Sequence, residues 1–220
     1  MRIPGLQRKP AATDWRVVHQ CASWCLSYPD ESLQEMLPLL RSALDEQPRS
    51  EPVMLLGTVV DALLRADPDQ LRHSNVDVFD LSRKHTLYLT YWTDGDTRRR
   101  GESLGAVKQL YRDSGLVTDL RGELPDHLPI VLEFCARADA QRGIEFLNSH
   151  RGALGQIEKA LRARDSCYAD VLLAVIATLP AAPSDLNPVA QHSTPFESVG
   201  LEPYDPRLLP LQPTQAPSRR

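Results

Sequence analysis

The chain has 220 residues, of which 42% are hydrophobic and 25% are charged, as expected for a globular protein with one substantial core. Its formal net charge of −4 argues against nucleic acid as a partner, because phosphate binding requires a basic face. The first residues lack the apolar core of a secretion signal, and no apolar run approaches the ~20 residues of a membrane-spanning helix, so we expect a cytoplasmic protein without stable membrane insertion.

Three amphipathic helices are predicted at the start of the chain. Asp14 is expected to cap a first helix that ends near Leu26, because apolar residues then recur at helical spacing. A second helix is predicted over residues 31–47, and Pro38 is expected to kink or split it. A third helix is predicted over residues 50–66. The expected buried side of this third helix consists of Leu55, Val59, Ala62 and Leu63.

The next segment is ambiguous between a helix and a strand. After a predicted break at Asp67-Pro68-Asp69, apolar and aromatic residues follow a helical stripe over residues 77–92, and Asp77 is the expected cap. Residues 87–92 alone also read as an alternating strand. We favour the helix, because no second strand is apparent with which the segment could pair. The stripe consists of Val78, Leu81, His85, Tyr88 and Trp92.

The second half of the chain is also predicted to be helical. A turn at Asp94-Gly95 precedes a helix that Asp96 is expected to cap and that stops at Ser114-Gly115. Asp126 is expected to cap the following helix. Residues 140–165 read as one further, more polar helical segment, and residues 168–179 as a last, strongly apolar helix in the centre of the bundle.

These elements predict one all-α domain, a single bundle of about seven or eight helices over residues 14–180. Residues 1–13 are interpreted as an N-terminal extension. Nine of the 18 prolines lie from Pro180 onward, and helical periodicity is lost there, so residues 181–220 are predicted to be a disordered, Pro-rich tail.

Four of the polar residues in the second half of the chain are compatible with an enzyme site. Asp94, Asp96, Asp126 and His127 suggest a helical metal- or nucleotide-dependent hydrolase, since carboxylates and imidazoles bind metals. However, no second His–Asp pair recurs at one-turn spacing, and phosphate-loop and nucleophile motifs are lacking. We therefore predict no catalytic residue, no metal and no cofactor, and the hydrolase remains the alternative.

The four cysteines form no C-x-x-C pair or zinc-like doublets. We interpret them as buried thiols in a reducing compartment, with a metal or redox pair as the alternative. They are Cys21, Cys25, Cys135 and Cys167.

Three motifs resemble the NarJ family of nitrate reductase assembly chaperones, which is related to the TorD/DmsD chaperones of molybdoenzymes. The resemblance is strongest over residues 80–135 and extends over residues 14–180. Its motifs are Tyr88-Leu89-Thr90-Tyr91-Trp92, then Gly95-Asp96-Thr97-Arg98 with Arg100-Gly101, and Glu123-Leu124-Pro125-Asp126-His127-Leu128-Pro129 followed by Leu132-Glu133-Phe134.

The resemblance implies an all-helical, cytoplasmic and non-catalytic chaperone. Such proteins bind the N-terminal segment of the catalytic (alpha) subunit of nitrate reductase. They keep the apoenzyme competent for molybdenum cofactor insertion and delay its docking to the membrane. The expected partners are therefore this subunit, through its N-terminal peptide, and molybdenum cofactor biosynthesis proteins.

The same motifs supply the expected peptide-binding residues. Aromatic side chains would line a groove for an amphipathic peptide helix, carboxylates would meet its basic groups, and His127 would make binding sensitive to pH. The expected set is Tyr88, Tyr91, Trp92, Asp94, Asp96, Arg98, Glu123, Pro125, Asp126 and His127.

Overall fold

The structure is a computed structural model, and it describes residues 12–115, 119–120 and 122–181. Within these ranges it contains α-helices and no β-strand, which confirms the predicted all-α bundle. Residues 1–11 and 182–220, where the predicted extension and tail fall, lie outside the described residues. The ten α-helices of the described ranges are α1 Trp15–Leu26, α2 Glu31–Asp45, α3 Glu51–Arg65, α4 Pro68–Asn75, α5 Leu89–Asp94, α6 Arg98–Asp113, α7 Leu128–Arg137, α8 Ala140–Ser149, α9 Arg151–Arg162 and α10 Tyr168–Thr178.

Aspartate side chains set the first two helix starts. Asp14 accepts a hydrogen bond from the backbone N–H of Arg16 at 3.0 Å, and Asp30 accepts one from Leu33 at 3.0 Å. Both bonds satisfy N–H groups that have no partner within the helix. Helix α2 continues through Pro38, so of the two predicted effects, a kink or a split, the split is wrong. Packing of the buried leucines of α2 stabilises the helix despite the missing N–H.

Helices α3 and α4 differ in detail from the prediction. Ser50 precedes α3 but makes no capping hydrogen bond with its side chain. The predicted break is confirmed, since α3 ends at Arg65 and Ala66 is extended. Directly after it, Asp67-Pro68-Asp69 starts α4, a helix that was not predicted, because Asp67 accepts hydrogen bonds from Asp69 and Gln70 and proline is compatible with a first helical position. The buried side of α3 includes Leu56, Val59, Val60 and Leu63, whereas Leu55 and Ala62 are only half-buried.

The predicted helix over residues 77–92 is wrong. The chain forms a π-helical turn, Val76–Asp80, and a 3₁₀ turn, Arg83–His85. It then becomes extended at Tyr88, which forms an isolated antiparallel bridge with His127. The partner of this extended residue lies far along the chain. The backbone hydrogen bonds of the pairing outweigh the helical preference that the sequence pattern indicates.

Further corrections concern the later helix starts. Thr97, not Asp96, occupies the cap position of α6, and His127, not Asp126, occupies that of α7. The predicted segment 140–165 is two helices, α8 and α9, which meet at His150. The stop at Ser114-Gly115 is confirmed, since α6 ends at Asp113 and Gly115 has a positive φ of 76°.

The core lies where α1, α3, α7 and α10 meet. Helix α1 packs mainly on α7, and α10 packs on α9, α3 and α1, which confirms the central position predicted for the last helix. Most buried apolar residues form one continuous cluster. Among the described helices, none has the length and apolarity needed to cross a membrane.

The cysteines follow the prediction at three of four positions. Cys21, Cys25 and Cys135 are buried, whereas Cys167 is exposed, and all four are free thiols. Burial raises the pKa of the Cys21 and Cys135 thiols to about 12. These two thiols are therefore protonated and unreactive near neutral pH.

A buried histidine links the first and last helices. His19 is completely buried, and its Nε2 lies 2.8 Å from Oγ1 of Thr178. The Thr178 hydroxyl donates to the carbonyl oxygen of Val175 at 2.7 Å, so the imidazole Nε2–H is the donor in the first bond. Burial lowers the pKa of His19 from 6.5 to about 4, although Asp14 partly opposes the shift. His19 is therefore neutral in the folded protein at physiological pH.

This burial predicts acid lability. The unfolded chain takes up a proton at His19 below its ordinary pKa of 6.5, whereas the folded chain does so only near pH 4, so stability falls as the pH drops through this interval. Between pH 7 and pH 5 the wild-type unfolding free energy should fall by about 2 kcal/mol more than that of His19→Gln. Urea denaturation at both pH values measures this. The exposed control His73→Gln should behave like wild type, and an equal pH dependence in His19→Gln would contradict the prediction.

Candidate functional site

A short antiparallel pairing frames the motif residues. The backbone N–H of Leu128 donates to the carbonyl oxygen of Leu87 at 2.9 Å, and the N–H of Leu89 donates to that of Asp126 at 3.2 Å. These bonds place the start of α5 directly against the loop that precedes α7. Two motifs that are distant in sequence therefore form one structural unit.

Asp126 lies at the centre of this unit. Its side chain is completely buried, and Oδ2 accepts hydrogen bonds from the backbone N–H of Thr90 at 2.9 Å and from its hydroxyl at 2.6 Å. Thr90 is the second residue of α5, so Asp126 caps α5 and not, as predicted, α7. The loop backbone turns the carboxylate toward the neighbouring helix, which sequence spacing alone does not indicate.

Arg100 reaches the same point from α6. Its side chain is only 16% exposed, Nε donates to the Thr90 hydroxyl at 3.3 Å, and Nη2 lies 4.0 Å from Oδ2 of Asp126. The guanidinium carbon is 5.8 Å from the ring centres of both Tyr88 and Tyr91, within range of a cation–π interaction. Arg100 was not among the expected site residues. In the sequence, Arg100 is marked only as part of the Arg98-Arg99-Arg100 run. Arg98 and Arg99 are exposed, and only Arg100 is partly buried in the cluster.

The outer layer of the cluster is aromatic and acidic. The Tyr88 hydroxyl donates to Oε2 of Glu123 at 2.5 Å, and the Tyr88 and His127 rings lie 5.1 Å apart. Burial lowers the pKa of His127, although the negative charges of Glu123, Asp126 and Asp80 oppose the shift. The imidazole is therefore mostly neutral at pH 7, and its ring packs as an aromatic group.

Two other expected residues, Pro125 and Asp96, support this cluster. The carbonyl oxygen of the buried Pro125 accepts a hydrogen bond from the Tyr111 hydroxyl at 2.7 Å. Asp96 lies 3.4 Å from Nη1 of Arg100 and 3.3 Å from Nη1 of Arg83. Arg98, in contrast, is exposed at the start of α6.

Trp92 and Asp94 point away from the cluster. The Trp92 indole N–H donates to the carbonyl oxygen of Thr86 at 3.0 Å, and the ring packs against the main core. The Asp94 side chain, which is 9% exposed, accepts a hydrogen bond from Ser103 at 2.7 Å. Asp94 lies at one end of a groove of about 670 Å³ between α6 and α8.

Sequence reasoning missed the contribution of α8 to this groove. Phe146 and His150 line it, with ring centres 4.4 Å apart, together with Arg142 and Glu145. The only sequence signal was the amphipathic pattern of the polar segment 140–165, which carries no chemical motif. The juxtaposition of α6 and α8 is a tertiary feature.

The structure thus divides the ten expected residues. Seven of them belong to the cluster that is centred on Asp126 and Arg100. The other three, Trp92, Asp94 and Arg98, lie outside this cluster. Among the described residues, no group of three or more His, Cys, Asp or Glu side chains could hold a metal ion. The four residues proposed for a hydrolase therefore do not form a metal centre there. The seven are Tyr88, Tyr91, Asp96, Glu123, Pro125, Asp126 and His127.

The fold places the chain in a recognisable structural class. It superposes on the crystal structure of a protein described as a redox enzyme maturation protein from Archaeoglobus fulgidus, with a TM-score of 0.56, 21% sequence identity and coverage of 80% of this chain and 98% of the other. At this identity the likeness defines the fold alone. Residues 28–174 match the family model described as nitrate reductase delta subunit. The chain therefore belongs to this family, and the resemblance to NarJ proteins is confirmed.

Individual relatives agree with this assignment. The chain is 30% identical over 167 residues to the probable nitrate reductase molybdenum cofactor assembly chaperone NarJ of Bacillus subtilis, covering 76% of this chain and 90% of the relative. It is 31% identical over 170 residues to the corresponding NarJ chaperone of Escherichia coli K12, covering 76% and 70%. It is also 42% identical over 164 residues to the nitrate reductase-like protein NarX of Mycobacterium tuberculosis, covering 74% of this chain but only 24% of NarX. The chain thus spans about a quarter of NarX.

The bond between Asp126 and Thr90 predicts strong energetic coupling. In a double-mutant cycle, Asp126→Asn and Thr90→Val should show a coupling of about 1–2 kcal/mol in unfolding free energy, because the first removes the charge of the acceptor and the second the hydroxyl donor of the same buried, charge-assisted hydrogen bond. Urea denaturation of the four proteins measures it. As a matched control, Asp30→Asn removes a capping carboxylate elsewhere and should be additive with Thr90→Val. Additivity of the Asp126 pair would contradict the prediction.

Proposed function

We propose that this chain is a dedicated assembly chaperone for a nitrate reductase. It binds the N-terminal segment of the catalytic (alpha) subunit, keeps the apoenzyme competent for molybdenum cofactor insertion and delays membrane docking. The observation that most strongly supports this proposal is that the chain belongs to the family. Two relatives that each align over 76% of the chain are named as molybdenum cofactor assembly chaperones.

The use of the polar motif residues supports a binding role over a catalytic one. The Asp126 carboxylate is fully buried and accepts two hydrogen bonds from Thr90. A general acid or base must reach a proton of its substrate, and this carboxylate has no exposed atom. The same geometry gives the alternative hydrolase no accessible Asp126–His127 pair. The chain accordingly acts without catalysis of its own.

The surface of the motif cluster suits recognition of a peptide. Tyr88 and His127 are half-buried, and Glu123 is exposed beside them. Aromatic rings with one accessible edge serve as anchors, and an adjacent carboxylate attracts basic groups. Pro125 and Asp126, which are buried, stabilise this surface from below.

Location and further partners follow from the proposed task. A chaperone that delays membrane docking must meet the catalytic subunit in the cytoplasm, before the reductase is assembled on the membrane. Molybdenum cofactor biosynthesis proteins would approach the same complex while the cofactor is inserted. Because the chaperone must finally leave, moderate affinity is sufficient, and a partly polar binding surface is compatible with that requirement.

Co-purification tests the proposed function. The tagged chain, expressed with the nitrate reductase catalytic subunit, should capture that subunit, and removal of about 40 N-terminal residues of the subunit should abolish capture, because a peptide recognised in a groove supplies most of the contact. Isothermal calorimetry with the synthetic segment should give a stoichiometric complex, and a peptide of the same composition in scrambled order is the control. Failure to capture the intact subunit would refute the proposal.

A further inference from the structure

Helix α6 is attached to the rest of the bundle by few apolar contacts. Of its 16 residues only Val107 and Tyr111 are buried. They pack with Phe134 of α7 in a small cluster that is separate from the main core. Among the described helices, α6 packs mainly on the short α5. Because most of the stability of a helix in a protein comes from the packing of its apolar face, α6 receives little stabilisation from the bundle.

The sequence of α6 is also unfavourable for a helix. Gly101 and Gly105 lie in its interior, and within the described part of the chain a methyl group at either position would meet no non-neighbouring atom within 4 Å. Packing therefore does not require these two glycines, and each of them lowers the stability of the helix relative to alanine. Gly143 of α8 is different, because a methyl group there would collide with the sulfur of Cys135.

The first turn of α6 is weakly stabilised. Thr97 occupies the cap position, but its side chain makes no capping hydrogen bond, and its hydroxyl donates to the carbonyl oxygen of Asp94 at 2.9 Å. Arg98 and Arg99 are exposed in the first turn, where positive charges oppose the helix dipole. Asp96 precedes the helix and offsets only part of this repulsion. Helix α1, in contrast, starts with a capping aspartate.

Three hydrogen bonds from side chains of α6 hold the helix in its closed position. Their acceptors lie on α5 and in the loop that precedes α7. Since all three donors belong to α6, the bonds are lost together when this helix unfolds. They are the bonds from Arg100 to Thr90 at 3.3 Å, from Ser103 to Asp94 at 2.7 Å and from Tyr111 to Pro125 at 2.7 Å.

We propose that α6 is a lid that unfolds locally while the other helices of the bundle stay folded. Few buried contacts, weak helix propensity and a poorly stabilised first turn are the features of a segment with a low free energy of opening. Glycines with positive φ flank the helix, Gly95 at 62° and Gly115 at 76°, and glycine can change its backbone conformation there at little cost. Opening is a property of the free chain and does not depend on the proposed chaperone function.

Opening changes both the apolar surface and the motif cluster. Val107 and Tyr111 leave the small cluster, so Phe134 on α7, which is 4% exposed in the closed form, becomes accessible. Arg100 moves away from Asp126, so the buried carboxylate loses a positive charge that lies 4.0 Å from it. A buried charge without its partner is unfavourable. The closed form is therefore favoured, and it hides an apolar surface that only the open form presents.

Amide hydrogen exchange of the full chain measures this opening. The amides of α6 should exchange on the order of 100-fold faster than those of α10, because they exchange through local opening whereas the core helix requires global unfolding. The variant Gly101→Ala/Gly105→Ala should slow exchange in α6 by about twentyfold, since each alanine favours the helical form roughly fivefold. Circular dichroism verifies that the variant is folded. Exchange in α6 as slow as in α10 would overturn the proposal.

A glycine of α9 provides the matched control for Gly105→Ala. Gly155 lies within α9, and a methyl group there also meets no non-neighbouring atom of the described chain within 4 Å. Gly155→Ala therefore strengthens a helix of the main core by a similar factor. It should slow exchange in α10 about fivefold and leave exchange in α6 unchanged to within roughly twofold. If Gly155→Ala slows α6 as much as Gly105→Ala does, α6 unfolds only with the whole bundle and the lid does not exist.

Thiol labelling under native conditions is an independent measurement. The Cys167→Ser background lacks the exposed native thiol, and Val107→Cys places a thiol at a buried position of α6. This thiol should react with a maleimide on the order of 100-fold faster than the buried Cys21, as peptide mass spectrometry can measure. Adding Gly101→Ala/Gly105→Ala should slow its reaction about twentyfold. Labelling no faster than that of Cys21 would contradict local opening.

Discussion

Two hydrogen bonds from Thr90 to one buried oxygen of Asp126 join segments that lie 36 residues apart. A carboxylate without access to water is unfavourable unless donors and a positive charge lie close to it, and Thr90 with Arg100 supply both at Oδ2. Helix α5 has only six residues and is too short to be stable alone. Its start is therefore held in place by a side chain from a distant loop, and the geometry around it depends on that contact.

The consequences extend from this contact to the protein surface. Fixing the start of α5 places Asp94 at its other end, and the turn at Gly95, which has a positive φ of 62°, then directs the chain into α6. Arg100 returns from α6 to the same carboxylate. One buried charge thus determines where the first turn of α6 lies, and α6 forms one wall of the groove against α8.

The motif residues separate into a buried group and an accessible group, which is compatible with the proposed chaperone function. The buried motif residues stabilise the scaffold, whereas Tyr88, His127 and Glu123 remain partly or fully accessible at the surface. Contacts between exposed charges are modest and sensitive to salt, and partly buried aromatic rings would add affinity without commitment to one sequence. In the proposed function, a surface of this kind would hold a client segment and release it when assembly is complete.

Local patterns in the sequence determined the all-helical fold, the starts of α1 and α2 at Asp14 and Asp30, and the central place of α10, because capping and helical periodicity act between residues a few positions apart. The motifs also indicated the family. Only the tertiary structure decided that residues 77–92 are not one helix, that Asp126 caps α5 and not α7, and that α8 completes a groove. In each case the deciding partner lies tens of residues away, and its hydrogen bonds or packing outweigh the local preference.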